Sequence, residues 1–305
     1  MQVREGVWDE VDGSWPSNGL KRVDLKGLSD VIFTTPMKAA VGKQMVVGKV
    51  FSDILNSSRQ LLPPGVVLDI ELRRAPDAFS LISNKEQAVQ FKVKVSSATL
   101  LMRRLNIRPA VHDRVIASIR SGATMQFNRL DCRVTSFKRH EHVWRWLNCL
   151  NNATLPNRLY VGMVPQKAFY GTLNMSGTYF YHNKLTRFTA RLNGRELLVE
   201  PLRCKFDSDA DGDTVSDSSQ AKQAFLALAD VAGQIGDPTS TLRLSWKDFI
   251  YGNTLFAVEL GKCGEKVGAV GTIDLEMDFE DGSNQDACVI LMAEKTESVH
   301  VIPNL

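Results

Sequence analysis

A chain of 305 residues with 44% apolar and 23% charged side chains can bury one large core or two medium ones. Its net charge of +3 is too small for a surface that coats nucleic acid, and no block of Lys or Arg concentrates it. No apolar run approaches the roughly 20 residues that span a bilayer, and the charged N-terminus lacks the apolar segment of a signal peptide. The five cysteines, Cys132, Cys149, Cys204, Cys263 and Cys288, are dispersed and form no C-x-x-C. That usage predicts reduced, partly buried thiols in an intracellular protein.

Residues 1–45 are weakly patterned, with one strand-like run at Val31-Ile32-Phe33 ended by Pro36. Val46 to Leu62 is apolar but irregular, and Phe51, Ile54 and Leu55 have the spacing of a helical turn. After Pro63-Pro64-Gly65, Val66, Leu68, Ile70 and Leu72 alternate with Val67, Asp69, Glu71 and Arg73. That is the period of a half-buried strand. Phe79, Leu81 and Ile82 make a further short run, Phe91, Val93 and Val95 alternate with lysines, and Leu100–Ile107 continues as strand. The pattern is of consecutive antiparallel strands. Pro109 then opens a helix with Val111, Val115, Ile116 and Ile119 on one face and His112, Arg114 and Arg120 on the other, ended by Gly122. A proline-started helix between two β-rich regions is a domain joint, and it divides the chain into residues 1–107 and 108–305.

Strands follow around Asp131–Phe137, Val143–Leu147 and Arg158–Val164. The last is closed by Pro156 and Pro165, which have no N–H for a ladder, and Gly162 inside it marks a bulge or a close approach. Arg187–Leu192 and Arg195–Val199 flank Asn193-Gly194, a hairpin signal because both residues tolerate positive φ. An acidic loop, Asp207–Ser219, leads to Ala221–Gln234, where Phe225, Leu226, Leu228 and Val231 have helical spacing. Leu255–Leu260 is a strand. Ile273, Leu275, Met277 and Phe279 alternate with Asp274, Glu276 and Asp278, and Asp281-Gly282 turns the chain into Ala287–Ala293. About eight strands with one helical excursion predict an all-β sandwich of the jelly-roll kind.

The run Leu155-Pro156-Asn157-Arg158-Leu159-Tyr160-Val161-Gly162-Met163-Val164, followed by Ala168-Phe169-Tyr170-Gly171, resembles a signature of one protein family. It is that of the second jelly roll in double jelly-roll major capsid proteins of Maverick/Polinton elements and adintoviruses. The likeness extends from about Val46 to the C-terminus. Val47–Asp53, Leu62–Val66, Asp69–Arg74 and Ala78–Ile82 resemble the close of the first roll. Asn193-Gly194, Trp246–Phe249, Gly252–Ala257 and Gly271–Phe279 resemble the second. The resemblance implies a partial first roll with an irregular N-terminal segment in 1–107, a complete second roll in 108–305, and short helices. Only about 45 residues precede the resembling part, too few for the missing strands. An N-terminally truncated chain is therefore expected: a fragment, a degraded genomic copy, or an endogenous viral gene reshaped in a host. The family further implies homotrimeric capsomers tiling an icosahedral shell around double-stranded DNA. It implies contacts with other capsid proteins such as a penton, and a place in the virion after assembly inside the host cell. It implies neither sequence-specific nucleic-acid binding nor membrane insertion.

Several constellations carry the residue types of a reactive or binding site. His140-Glu141-His142 has the H-x-H spacing of a cupin metal site, since alternate strand residues point one way. No glutamate follows at the required distance, and a solvated stretch before Trp144 and Trp146 is the simpler reading. Asp207-Ser208-Asp209-Ala210-Asp211-Gly212-Asp213 has the oxygen-rich rhythm of a calcium loop, but Ser218 stands where the bidentate glutamate belongs. Cys263 between Lys262 and Lys266 reads as a solvated turn, and Cys149 and the five histidines form no local triad signature. Trp144, Trp146, Trp246, Tyr170, Tyr179, Phe180 and Tyr181 read as core or interface, and alternatively as the stacking platform of a carbohydrate- or ligand-binding module. No catalytic, cofactor-binding or metal-ligating residue and no cofactor is assigned, and the chain reads as a structural protein, not an enzyme.

Overall fold

Alternating strands without βαβ crossovers must bury their apolar faces against one another, and here they close into two facing sheets. The computed structural model describes residues 71, 73, 75–80, 95, 99, 107–122, 124–172, 174–198, 201–206, 219–233, 244–261, 269–280 and 285–300. The runs expected at 31–33, 51–55 and 66–70, most of those at 91–107, the acidic loop and Cys263 lie outside the described residues. The chain divides into two compact units, Met1–Asn128 with Glu297–Leu305, and Arg129–Thr296.

In the first unit, Asp77–Ser80 forms a single helical turn, α1, with Phe79 N donating to Pro76 O at 3.1 Å. Phe79 thus belongs to a helical turn and not to the strand-like run expected there. Pro76 presets φ at the entry, and Asp77 complements the helix dipole. Pro109–Arg120 is the expected helix, α2, closed by Gly122 at φ 94°. Its half-buried side holds His112, Val115 and Ile116, while Val111 is 47% exposed. The buried stripe is therefore turned by one residue from the one expected, and His112 shares it.

Nine strands are described: β1 (Thr124–Phe137), β2 (Val143–Thr154), β3 (Arg158–Pro165), β4 (Leu185–Leu192), β5 (Arg195–Glu196), β6 (Leu202–Arg203), β7 (Leu255–Glu259), β8 (Val270–Phe279) and β9 (Ala287–His300), all in the second unit except the first residues of β1 and the last of β9. Between them lie helices α3 (Gln166–Tyr170), α4 (Ser219–Val231) and α5 (Trp246–Ile250). One sheet has the order β1-β9-β3-β7 and the other β2-β8-β4-β5, with β6 also paired to β4. Successive strands change sheets, except where the β4–β5 hairpin and β6 keep to one. That is the strand order of a jelly roll.

β3 is the centre of its sheet. It pairs with β9 from Arg158↔Glu294 to Pro165↔Ala287 and with β7 from Arg158↔Glu259 to Gly162↔Leu255, without a register shift. Gly162 is therefore no bulge but a close approach. A Cβ there would stand 2.7 Å from Leu255 Cδ2 and 2.8 Å from Phe180 Cε1. Gly162→Ala should cost about 1–3 kcal/mol by forcing Phe180 and Leu255 aside. Urea unfolding measures it, and a loss below about 0.5 kcal/mol would mean that Phe180 yields freely.

Asn193 (φ 51°) and Gly194 (φ 82°) make the expected turn, pairing Leu192 with Arg195 and Arg191 with Glu196. The return strand is shorter than its apolar residues suggest. Pro201 cannot donate to the ladder, and pairing resumes at Phe188↔Leu202 as β6. Besides α1, two more helices were not expected as such. Pro165 ends β3 and α3 follows directly, closed by Gly171 at φ 96°. α5 starts at a capping box: Ser245 Oγ accepts from Asp248 N at 3.1 Å, and the Asp248 carboxylate accepts from Ser245 N at 3.3 Å. The spacing S-x-x-D was legible.

The interior is mostly apolar, with Thr254 buried within it and donating to Phe249 O at 2.7 Å. Across the two sheets Phe188 of β4 stacks on Phe256 of β7 with ring centroids 5.4 Å apart, and both are fully buried. A second aromatic group joins the helices to the roll: Phe225 of α4 lies against Trp246 and Phe249 of α5, and Phe249 against Phe206. No described helix is long and apolar enough to cross a membrane.

Candidate functional site

The most developed polar constellation lies on the outer face of the β2-β8-β4 sheet. Period-two alternation places Asp274, Glu276 and Asp278 of β8 on that face, because Ile273, Leu275, Met277 and Phe279 fill the core. The register sets Arg145 of β2 opposite Glu276 on one side, and Arg187 and Arg191 of β4 opposite Asp278 and Asp274 on the other. Glu276 is only 4% exposed, unusual for a carboxylate on a sheet's outer face. Three guanidiniums cover it: Arg145 Nε donates at 2.9 Å, Arg191 Nη1 at 2.9 Å, and Arg187 Nη2 to the other oxygen. Arg187 Nε also donates to Asp278 at 2.7 Å, and Arg191 reaches Glu196 at 3.6 Å.

Burial alone would raise the Glu276 carboxyl. The hydrogen bonds from Arg191 and Arg145 outweigh it and hold the group below its ordinary value. The carboxylate is thus saturated by donors and aims at no open space, so the cluster fastens three strands and presents no acid, base or nucleophile. In the sequence Asp274, Glu276 and Asp278 show only as the polar half of an alternating strand. The signal that complements them, Arg187 and Arg191 four apart on a strand, becomes meaningful only once β4 is known to lie beside β8.

The residues singled out for chemistry are scattered. His140 and His142 are exposed in the turn between β1 and β2, His140 at φ 68°, and Glu141 accepts from Lys138 N at 3.1 Å. With positive φ at His140 the H-x-H segment is a turn, not the strand that would aim two imidazoles together. Among the described residues no group of three or more His, Cys, Asp or Glu is placed to hold a metal ion. Cys149, Cys204 and Cys288 are buried thiols, and Cys132 is exposed. Burial pushes the Cys149 and Cys204 thiols up to about 12, which removes the thiolate.

The aromatics form no common platform. Trp144 is 5% exposed and faces the interior beside Phe137 and Trp146. Trp246 stacks on Phe249, Phe180 covers Gly162, and Tyr179 covers Gly252. Tyr170, at the end of α3, is 70% exposed and meets only Phe169 among ring contacts of the described residues. His182, which the sequence did not single out, stacks on Phe206 at 4.3 Å, and its Nδ1 accepts from Lys184 N. Burial, with the Lys184 charge, lowers it to about 4, so it is a neutral packing residue near neutrality.

No protein-family model matches the chain, and no curated protein is similar to it in sequence. Among solved structures, the PBCV-1 virus capsid is similar over 64% of this chain and 52% of its own, at 7% identity and a TM-score of 0.37. A chain of the Sputnik virophage is similar over 67% of this chain and 41% of its own, at 11% identity and a TM-score of 0.35. The chain thus spans about half or less of the length of these proteins.

Proposed function

We propose that this chain is a capsid protein, a shell subunit of the double jelly-roll kind found in Maverick/Polinton elements and adintoviruses. The observation that carries the reading is where the family-like motifs fall in the roll. Leu155–Gly171 is the central strand β3 with α3, and its glycine is the seat of Phe180. Asn193-Gly194 is the β4–β5 turn, Trp246–Phe249 is the capped start of α5, and Gly271–Phe279 is β8, carrier of the Glu276 cluster. Each motif is a structural key of one closed sandwich. A roll so built presents its outer faces, turns and helical excursions to neighbours.

On this reading residues 108–305 are the second roll and residues 1–107 the remnant of the first. Three copies make a capsomer, and capsomers tile a shell with other capsid proteins, such as a penton, around double-stranded DNA inside the host cell. Weak contacts suffice, because closed symmetry multiplies each of them. Against the alternative, a carbohydrate- or ligand-binding module using the aromatic cluster, stand the burial of Trp144 and the packing of Trp146 on the core.

Light scattering on the purified protein tests the reading. The expected result is a particle of three times 33.9 kDa, or multiples of it. A folded monomer at every concentration tested would overturn the capsid assignment.

A further inference from the structure

β2 is the edge strand of its sheet, and its ladder to β8 is broken twice. The register runs from Val143↔Asp278 to Trp146↔Leu275, slips before Leu150↔Ile273, and slips again before Ala153↔Gly271. The first slip is made by Asn148, whose φ is 54°. Two carboxylates of β8 hold β2 here, one in the slip and one in the register just before it. Asp274 Oδ1 accepts from Asn148 N at 2.6 Å, and Glu276 accepts from Arg145 Nε at 2.9 Å. The stretch is held further by the Cys149 thiol donating to Ile273 O at 3.0 Å, by Arg133 Nη1 donating to Cys149 O at 2.7 Å, and by Thr272 Oγ1 donating to Asn151 Oδ1 at 3.4 Å.

We propose that β2 is an acid-releasable edge: loss of charge on Glu276 frees its bulged middle, Arg145–Asn151, while the facing sheet stays closed. The groups around Glu276 set the direction. β2 brings Arg145, β4 brings Arg187 and Arg191, β5 brings Glu196, β6 brings Arg203 opposite Arg187, and β8 itself adds Asp274 and Asp278. A neutral Glu276 leaves the three guanidiniums that cover it facing one another with Asp278 and Glu196 as counter-charges. Like charges that close repel, and a neutral carboxyl accepts a weaker hydrogen bond than a carboxylate. Of the three, Arg145 is the one on an edge strand and the most exposed, at 61% of its side chain. Repulsion is therefore relieved by moving β2. β3 is paired on both sides by unbroken ladders, so its own ion pairs, Arg158 with Glu259 at 3.8 Å and with Glu294 at 3.5 Å, only add to complete pairing.

Hydrogen exchange with mass spectrometry on the full chain decides it, after correction for the intrinsic pH dependence of exchange. Between about pH 7 and about pH 3.5, the peptide covering Val143–Thr154 should lose roughly tenfold protection while that covering Arg158–Pro165 keeps its own. Arg145→Met, at an exposed position, should fold normally, start with lower β2 protection near neutrality, and show a smaller acid loss. Parallel loss in both peptides, or full β2 protection in acid, would overturn the proposal. So would an Arg145→Met profile identical to that of the unaltered chain.

Discussion

Phe188→Ala is expected to destabilise the roll by about 3–5 kcal/mol, seen as a lower urea midpoint at unchanged slope. Phe188 is wholly buried on β4, paired with Met277 of β8 and Leu202 of β6, and its ring stacks at 5.4 Å on Phe256 from the opposite sheet. Removing the ring deletes transfer free energy and leaves a cavity between two sheets that ladder hydrogen bonds hold in place, so the gap closes only in part. Phe188→Leu keeps most of the volume and should cost less than half as much. A loss under about 1.5 kcal/mol for the alanine variant would mean that the sheets move together over the gap.

Glu276→Ala is expected to cost about 2–4 kcal/mol near neutrality, because it strands three arginines that share one buried carboxylate. The estimate sits below the usual cost of breaking a buried ion pair, since the arginine side chains keep 30–61% exposure and water screens them. The sign with pH follows from the direction of the shift. The folded carboxyl is held below its ordinary value. Its contribution is therefore complete above the unfolded group's value, at about pH 4.3, and is lost as pH falls through the lower folded value. Stability curves of the two proteins should run parallel near neutrality and converge in acid. Curves that stay apart down to about pH 3 would show that the loss comes from packing, not charge.

The aromatic residues show where sequence pattern stops. Alternation states that Trp144 and Trp146 share a face of β2, and the same rule holds for Asp274, Glu276 and Asp278 of β8. It is silent on which face is inside, so a core residue such as Trp144 and a platform residue look alike. The His140 turn is a similar case: H-x-H spacing ligates only on an extended backbone, and positive φ at His140 is not written in residue type. The turn of the α2 stripe, from Val111 to His112, is decided by what packs against the helix.

Much of the roll was nonetheless carried by local chemistry. Proline-bounded β3, the Asn193-Gly194 turn, the alternation of β8 and the proline-opened α2 follow from the covalent limits of Pro and Gly and from the period of a strand. The sequence by itself determined an all-β chain with these elements in this order. Only the tertiary structure decided that Gly162 is a seat for Phe180, that β2 is a bulged edge, and that Glu276 lies under arginines from both neighbouring strands. Those features arise between residues as many as 131 positions apart, and the strand order that brings them together is set by burial of the whole core, not by any local run.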